Sequence, residues 1–143
     1  MTHTCHCTAL RQASAFATEF YDAALEPLGI KVTMFRLLRH IGRAQGASIT
    51  DLADQVGLDR STLGRNLRVL ERQNLIEPAK GQDKRARNFV LSDRGRAMLE
   101  AATPLWHDAQ NAFADTVGPE VIGLLDQLSE LTNKTHTVRG DRG

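Results

Sequence analysis

Cysteine is nearly absent from this sequence: of 143 residues only Cys5 and Cys7 carry thiols. Two thiols two positions apart do not make a disulfide framework. With 41% hydrophobic residues the chain holds enough apolar material to build a core without staples or a structural metal. No apolar run approaches the roughly 20 residues needed to cross a bilayer, so no membrane helix is expected. Met1 to Cys7 contains neither a basic stretch nor an apolar one, so no secretory signal is read there and the expected compartment is the cytoplasm. Also missing are an acid–base pair, a nucleophile motif and a glycine-rich phosphate loop, which argues against an enzyme and against a bound cofactor. There is no repeat, low-complexity segment or linker, and the length suits one domain.

Charge is scarce in total but not in place. The net charge is +1, yet Arg60 to Arg87 holds eight cations against three acids, leaving +5 there and −4 on the rest of the chain. A basic block inside an otherwise acidic protein is the footprint of a polyanion-binding surface.

Apolar spacing predicts a first helix over about Thr8 to Glu26, closed by Pro27 and Gly29. A second helix follows Thr33 as its cap, with Met34, Leu37, Leu38 and Ile41 on one face. Thr50 is read as the cap of a short helix ending at Gly57, and Asp59 as the cap of a helix from Arg60 to about Asn74. The period then changes. Residues 75–79 and 88–91 read as two strands joined by a long polar loop. Ser92 caps a long helix, which Gly118-Pro119 separates from a last one.

Helix, tight turn, helix and basic hairpin in this order give a mostly α fold with a small β-hairpin wing, a winged helix-turn-helix. The second helix of the pair passes a geometric test. With Leu63 at 0° and steps of about 100°, Leu67 and Leu70 fall near the same pole. Ser61, Arg65, Arg68 and Arg72 fall within roughly 40° of the opposite one. An aliphatic face and a guanidinium–hydroxyl face suit a helix that docks on its own core and enters the major groove, where arginine pairs bidentately with guanine. Arg60, Ser61, Thr62, Arg65 and Arg68 are therefore the candidate readers on this helix. In the hairpin tip, Lys80, Lys84, Arg85 and Arg87 are the candidate DNA contacts, with Arg85 or Arg87 suited to a narrow minor groove. Asp83 is expected to shape the turn or orient Arg85.

These residues resemble a known family. Asp83-Lys84-Arg85 followed by Val90-Leu91-Ser92 and Gly95 is similar to the wing signature of MarR-family regulators, with serine where threonine is usual at position 92. Val32-Thr33, Phe35 and Leu37-Leu38 resemble the family's second helix. Thr50, Leu52-Ala53, Val56-Gly57, Ser61-Thr62, Arg65, Leu67, Leu70-Glu71 and Leu75-Ile76 resemble its helix-turn-helix and first wing strand. The resemblance implies a homodimer with a helical dimerisation region drawn from both termini. It also implies a regulator, often a repressor, released by a small ligand or by cysteine oxidation. The DNA-binding lobe is then expected at about 33–95 and the dimerisation helices at about 8–30 and 96–135. The terminal helices are too apolar for solitary surface helices, which supports the dimer independently. A twofold dimer reads a pseudo-palindromic site in double-stranded DNA.

Two further groups stand out. His3, Cys5, His6 and Cys7 place four metal-capable or reactive side chains in five residues; an inert leader, a thiol sensor and a metal site all remain open. C-x-C with no second cluster is not a structural zinc pattern, so no metal is assigned. A nucleophilic role for either cysteine is disfavoured, because nothing rigid orients residues ahead of the first helix. By analogy with the family, Phe16, Phe20, Phe35, Arg39 and Trp106 are candidates for lining an effector pocket, and plain core packing is the competing account. A winged-helix module that binds protein without sequence-specific DNA recognition is the alternative function.

Overall fold

The computed structural model describes residues 5–44, 47–79 and 88–140. Its contacts divide the chain into two units, residues 1–106 and 107–143.

The first unit opens with helix α1 (His6–Leu25) and a short 3-10 turn (Glu26–Leu28), after which α2 runs Val32–Ala44. The expected cap, Thr33, lies inside α2. The exposed first N–H of the helix is satisfied by a different helix: Asp22 Oδ1 accepts from Val32 N at 2.7 Å. Its other oxygen lies 3.9 Å from Lys31 Nζ. A carboxylate at this position satisfies an orphan donor and favourably opposes the helix dipole.

A two-residue strand, β1 (Ala47–Ser48), precedes α3 (Ile49–Val56). The cap of α3 is Ser48, whose hydroxyl accepts from Asp51 N at 3.2 Å; Thr50, the cap expected from sequence, is within the helix. Gly57 ends α3 at φ 69°, with its N–H on the Ala53 carbonyl. A left-handed residue at that point turns the chain sharply, and glycine adopts it without steric cost. Helix α4 follows at Arg60–Arg72, as the leucine spacing requires.

Strands β2 (Ile76–Pro78) and β3 (Asn88–Leu91) pair antiparallel, with Ile76 opposite Leu91 and Pro78 opposite Phe89. Sequence reading expected this hairpin alone. In the structure β1 adds to the free edge of β3, Ala47 opposite Phe89, giving the order β1-β3-β2. Pro78 is tolerated because β2 is an edge strand.

One core fills this lobe: Leu37, Leu38 and Ile41 of α2, Leu52 and Val56 of α3, Leu63, Leu67 and Leu70 of α4, and Leu75, Ile76, Phe89 and Leu91 from the sheet region. A second cluster joins Leu25, Ile30 and Phe35 to Ala102 of α5 (Asp93–Val117), with Trp106 packed against it. The second unit holds the last turns of α5 and, after Gly118, helix α6 (Pro119–Gly140). Val121, Leu124, Leu125, Leu128 and Leu131 are exposed along α6. Among the described residues no helix is long and apolar enough to cross a membrane.

The end of α4 and the start of α5 are clasped together. Asn74, at φ 57°, terminates α4 in a Schellman arrangement: Leu75 N donates to Leu70 O and Asn74 N to Glu71 O. Ser92 N donates to Leu75 O at 3.1 Å, Ser92 Oγ donates to Asn74 O at 2.5 Å, and the same Oγ accepts from Gly95 N at 3.0 Å. The N-cap role expected of Ser92 is thus observed, with a bond back to α4 added. Gly95 is what allows the approach, since a Cβ there would stand 1.9 Å from the Leu75 carbonyl oxygen. Backbone cannot yield as a flexible side chain can, so Gly95→Ala is expected to cost about 3 kcal/mol or more in urea denaturation. Gly64→Ala, in the interior of α4 where an added Cβ meets nothing within 4 Å, is expected to gain up to about 1 kcal/mol. Equal effects at the two sites would refute the clasp.

Candidate nucleic-acid interface

Helix α4 is fixed by its inner face. Leu63, Leu67 and Leu70 are buried, and each contributes about 1.5–3 kcal/mol relative to exposure. That anchorage turns Arg60, Ser61, Arg65, Arg68 and Arg72 outward, all exposed, with Thr62 half-buried at the first turn.

The first turn is organised by Asp59. Its Oδ1 accepts from Thr62 N at 2.8 Å and its Oδ2 from the Thr62 hydroxyl at 3.0 Å. The hydroxyl in turn accepts from Arg65 Nη2 at 3.4 Å. The chain Asp59–Thr62–Arg65 aligns one hydroxyl and one guanidinium on the outward face. The Thr62 backbone and hydroxyl bonds, above all, hold the Asp59 carboxyl below its ordinary range, with Ser61 and the Arg65 charge adding to the effect. Sequence reading identified Asp59 as a cap but missed this second role, because the Thr62–Arg65 link depends on rotamers that spacing alone does not give.

The other wing residues proposed from sequence, Lys80, Asp83, Lys84, Arg85 and Arg87, lie outside the described residues. Strands β2 and β3 place the two ends of that loop beside each other, with Ala79 N donating to Asn88 O at 2.9 Å.

The candidate effector residues fall into a pair and a trio. On α1 the rings of Phe16 and Phe20 are 6.2 Å apart, Phe16 being exposed. Phe35, buried in α2, packs on Trp106 of α5 at 5.5 Å, and the Arg39 guanidinium covers the same indole at 4.4 Å from its centroid. Burial first, and then the neighbouring Arg43, pull Arg39 below its ordinary pKa.

At the other end of the unit, Cys5 is the N-cap residue of α1; it and Cys7 are exposed free thiols, and His6 is the first helical residue. Hydrogen bonding from the Thr8 backbone, then from its hydroxyl and from the Cys7 backbone, lowers the Cys5 thiol pKa. His3 lies outside the described residues. Among the described residues no three His, Cys, Asp or Glu side chains gather as a metal site.

Because the pKa of Asp59 is depressed in the fold, its ionised form stabilises the protein above the ordinary carboxylate value of about 4. That contribution is lost as pH falls through the lower, folded value. The stability difference between wild type and Asp59→Asn is therefore expected to be constant near neutrality and to vanish in acid. A difference that persists undiminished as pH falls below the ordinary carboxylate range would place the stabilisation elsewhere.

Known proteins share this fold. A sequence profile of the MarR family matches residues 28–86. The HTH-type transcriptional regulator PetP of Rhodobacter capsulatus is 27% identical over 96 residues, which span 66% of this chain and 58% of that protein's length. The crystal structure of the M. tuberculosis transcriptional regulator MosR in complex with DNA is 33% identical, covers 95% of this chain and 99% of its own, and superposes with a TM-score of 0.79. Apo MarR from E. coli, 20% identical over 89% of this chain and 96% of its own, has the same fold at a TM-score of 0.68. These proteins are regulators rather than enzymes. With the profile on its helix-turn-helix and with a relative of one-third identity along almost its whole length, this chain belongs to the MarR family of winged helix-turn-helix transcriptional regulators.

Proposed function

We propose that the chain is a cytoplasmic, homodimeric regulator that binds a pseudo-palindromic site in double-stranded DNA and represses transcription until a small effector releases it. The observation that carries the reading is α4: a helix held by three buried leucines, with arginines facing out and a hydroxyl–guanidinium pair set by its own cap. Arg60, Ser61, Thr62, Arg65 and Arg68 read the major groove. Arg85 enters the minor groove, Lys80, Lys84 and Arg87 meet phosphates, and Asp83 orients the wing. The MosR complex with DNA supports this use of the fold.

The lobe at about 33–95 carries DNA binding; helices at about 8–30 and 96–135 carry dimerisation. Exposed Leu10 and Phe16 on α1, and five exposed aliphatics on α6, support the second assignment, since such surface is normally covered by a partner. The effector site draws on Phe16, Phe20, Phe35, Arg39 and Trp106, of which the last three already share contacts.

Selection of bound sites from random duplex DNA gives the operator, and variants then test the readers. Arg65→Ala is expected to cost about 1–3 kcal/mol on that operator and to relax specificity at one position per half-site. Arg85→Ala is expected to lower affinity similarly, whereas Lys80→Ala weakens all sequences and flattens the salt slope by about 1. If Arg65→Ala and Arg85→Ala leave operator affinity unchanged at fixed salt, the assignment of these readers is wrong; a folded protein that selects no DNA site is instead the protein-interaction module.

A second proposal rests on the Cys5 cap. Helix N–H groups stabilise thiolate, the form that oxidises and alkylates. The Cys7→Ser variant is therefore expected to alkylate faster with iodoacetamide near neutral pH than the Cys5→Ser variant. Equal rates, or operator release by peroxide that survives the loss of both thiols, would remove the cysteines as sensors.

A further inference from the structure

The α2 helix carries a cationic ridge that neither its core packing nor DNA reading uses. On the helical wheel Leu37, Leu38 and Ile41 point into the lobe's core and are buried, while Arg36, Arg39, His40 and Arg43 share an arc of about 100° on the opposite side, with buried Phe35 flanking that arc next to Arg39. Arg36 and Arg43 are exposed; Arg39 and His40 are half-buried. Neighbours three and four apart on a helix stand about 5–6 Å from each other, and like charges at that spacing repel.

We propose that this ridge binds a small multivalent oxyanion, of the phosphate or polycarboxylate kind. Each group of the ridge with an assigned contact is held by an uncharged partner. Arg36 Nη2 donates to the Val56 carbonyl at 3.4 Å, Arg39 lies over the Trp106 indole, and His40 hydrogen-bonds Gln55. Such contacts fix position without cancelling charge. The ion pairs of Lys31 with Asp22 and of Arg96 with Asp93 do not involve the ridge. The charges acting on His40 are Arg36, Arg43 and Arg39, with no carboxylate among them. Arg36, Arg39 and His40 are thus held in place, no carboxylate among the described residues is paired with the ridge, and an oxyanion supplies the missing negative charge.

The chemistry favours oxyanions over halide. A guanidinium presents a planar fork that matches two oxygens of a phosphate or carboxylate. The cation–π contact with Trp106 holds the Arg39 guanidinium without neutralising its charge, so that charge is still on offer to an anionic ligand. From Arg36 to Arg43 the helix rises about 10.5 Å, so a ligand must carry more than one charged group to engage the ridge along its length. Burial, and then Arg36, hold His40 below its ordinary pKa, with Arg43 and Arg39 adding and Gln55 opposing. An anion on the ridge reverses that balance, so binding takes up a proton and tightens as pH falls. A bound oxyanion also competes with the Val56 carbonyl for Arg36, one residue before the Gly57 turn that leads into α4.

The ridge shares Arg39 and Trp106 with the proposed effector residues and names a ligand class for that region; it does not depend on DNA reading. The test is calorimetric titration of the full-length protein with inorganic pyrophosphate, and separately with citrate, at fixed ionic strength. Saturable binding by at least one is expected, and which one binds more tightly assigns the phosphate or the carboxylate source. Arg36→Gln/Arg43→Gln is expected to weaken binding about tenfold or more, and Arg43→Gln alone, at an exposed position, by less. Arg65→Gln/Arg68→Gln on α4 is expected to leave it unchanged. Affinity is expected to be higher at about pH 6 than at about pH 8, and His40→Gln to flatten that difference. Absence of saturation, equal binding by the ridge variants, or loss in the α4 variant would overturn the proposal. So would a fall in operator affinity and salt slope on ridge substitution without added anion, which would make the ridge a DNA contact. Should wild type bind pyrophosphate at the ridge but select no DNA site, the DNA-reading proposal alone fails.

Discussion

The approach of the Leu75 carbonyl to Gly95 is the constraint on which the lobe depends. A helix that reads DNA and a hairpin that flanks it are useful only at a fixed mutual angle, yet they are separated by a change of secondary structure. The chain solves this by ending α4 in a left-handed Asn74 and spending the freed groups on α5. Ser92 sits at the centre, donating to Asn74 O and accepting from Gly95 N, while its own N–H meets Leu75 O. Since β2 starts at Ile76 and β3 ends at Leu91, both strands are pinned at their base by the same set of bonds. Leu75 and Leu70, joined by the Schellman bond, lie in the same core, so the polar clasp and the apolar packing reinforce each other.

Helix α4 can tolerate its arginines because the two tasks are separated by face. The leucines bind the helix to α2 and α3, and the polar face then needs no packing of its own. Local order on that face comes from the cap: Asp59 holds Thr62 by two bonds, and Thr62 receives Arg65. A negative charge at the entrance to a polyanion-binding helix would be repulsive if left free. Committed to Thr62 and drawn toward Arg65, it orders the exposed face of the first turn at a smaller electrostatic cost.

What the sequence made legible was whatever repeats or punctuates locally. The leucine stripe of α4, the Gly57 turn, the Asp59 and Ser92 caps and the Gly118-Pro119 break all follow from spacing within one segment. Non-local partners, and the choice between neighbouring residues of equal cap chemistry, were not legible. Thr33 and Thr50 have cap chemistry, but Asp22 reaches α2 from another helix and Ser48 starts α3 two residues earlier. Strand β1 has two residues, too few for any period, and exists because β3 offers it an edge. The cations of α2 were open to the same wheel that exposed α4, but their significance lies in neutral partners on α3 and α5 that no spacing shows. The charge count of residues 80–87 carries the wing reading, and those residues lie outside the described part of the chain.

The same logic connects the two ends of α1. At its start Cys5 stands where helix N–H groups favour thiolate; in its last turns Asp22 caps α2. The bond from Val32 N to Asp22 is short and charge-assisted, and Lys31 approaches the second carboxylate oxygen. Directly behind that cap, Phe35 and Arg39 engage Trp106, and Leu37, Leu38 and Ile41 enter the core shared with α4. Helix α2 therefore carries the cationic ridge on its outer face while it meets α1 through the Asp22 cap and α4 through the shared core.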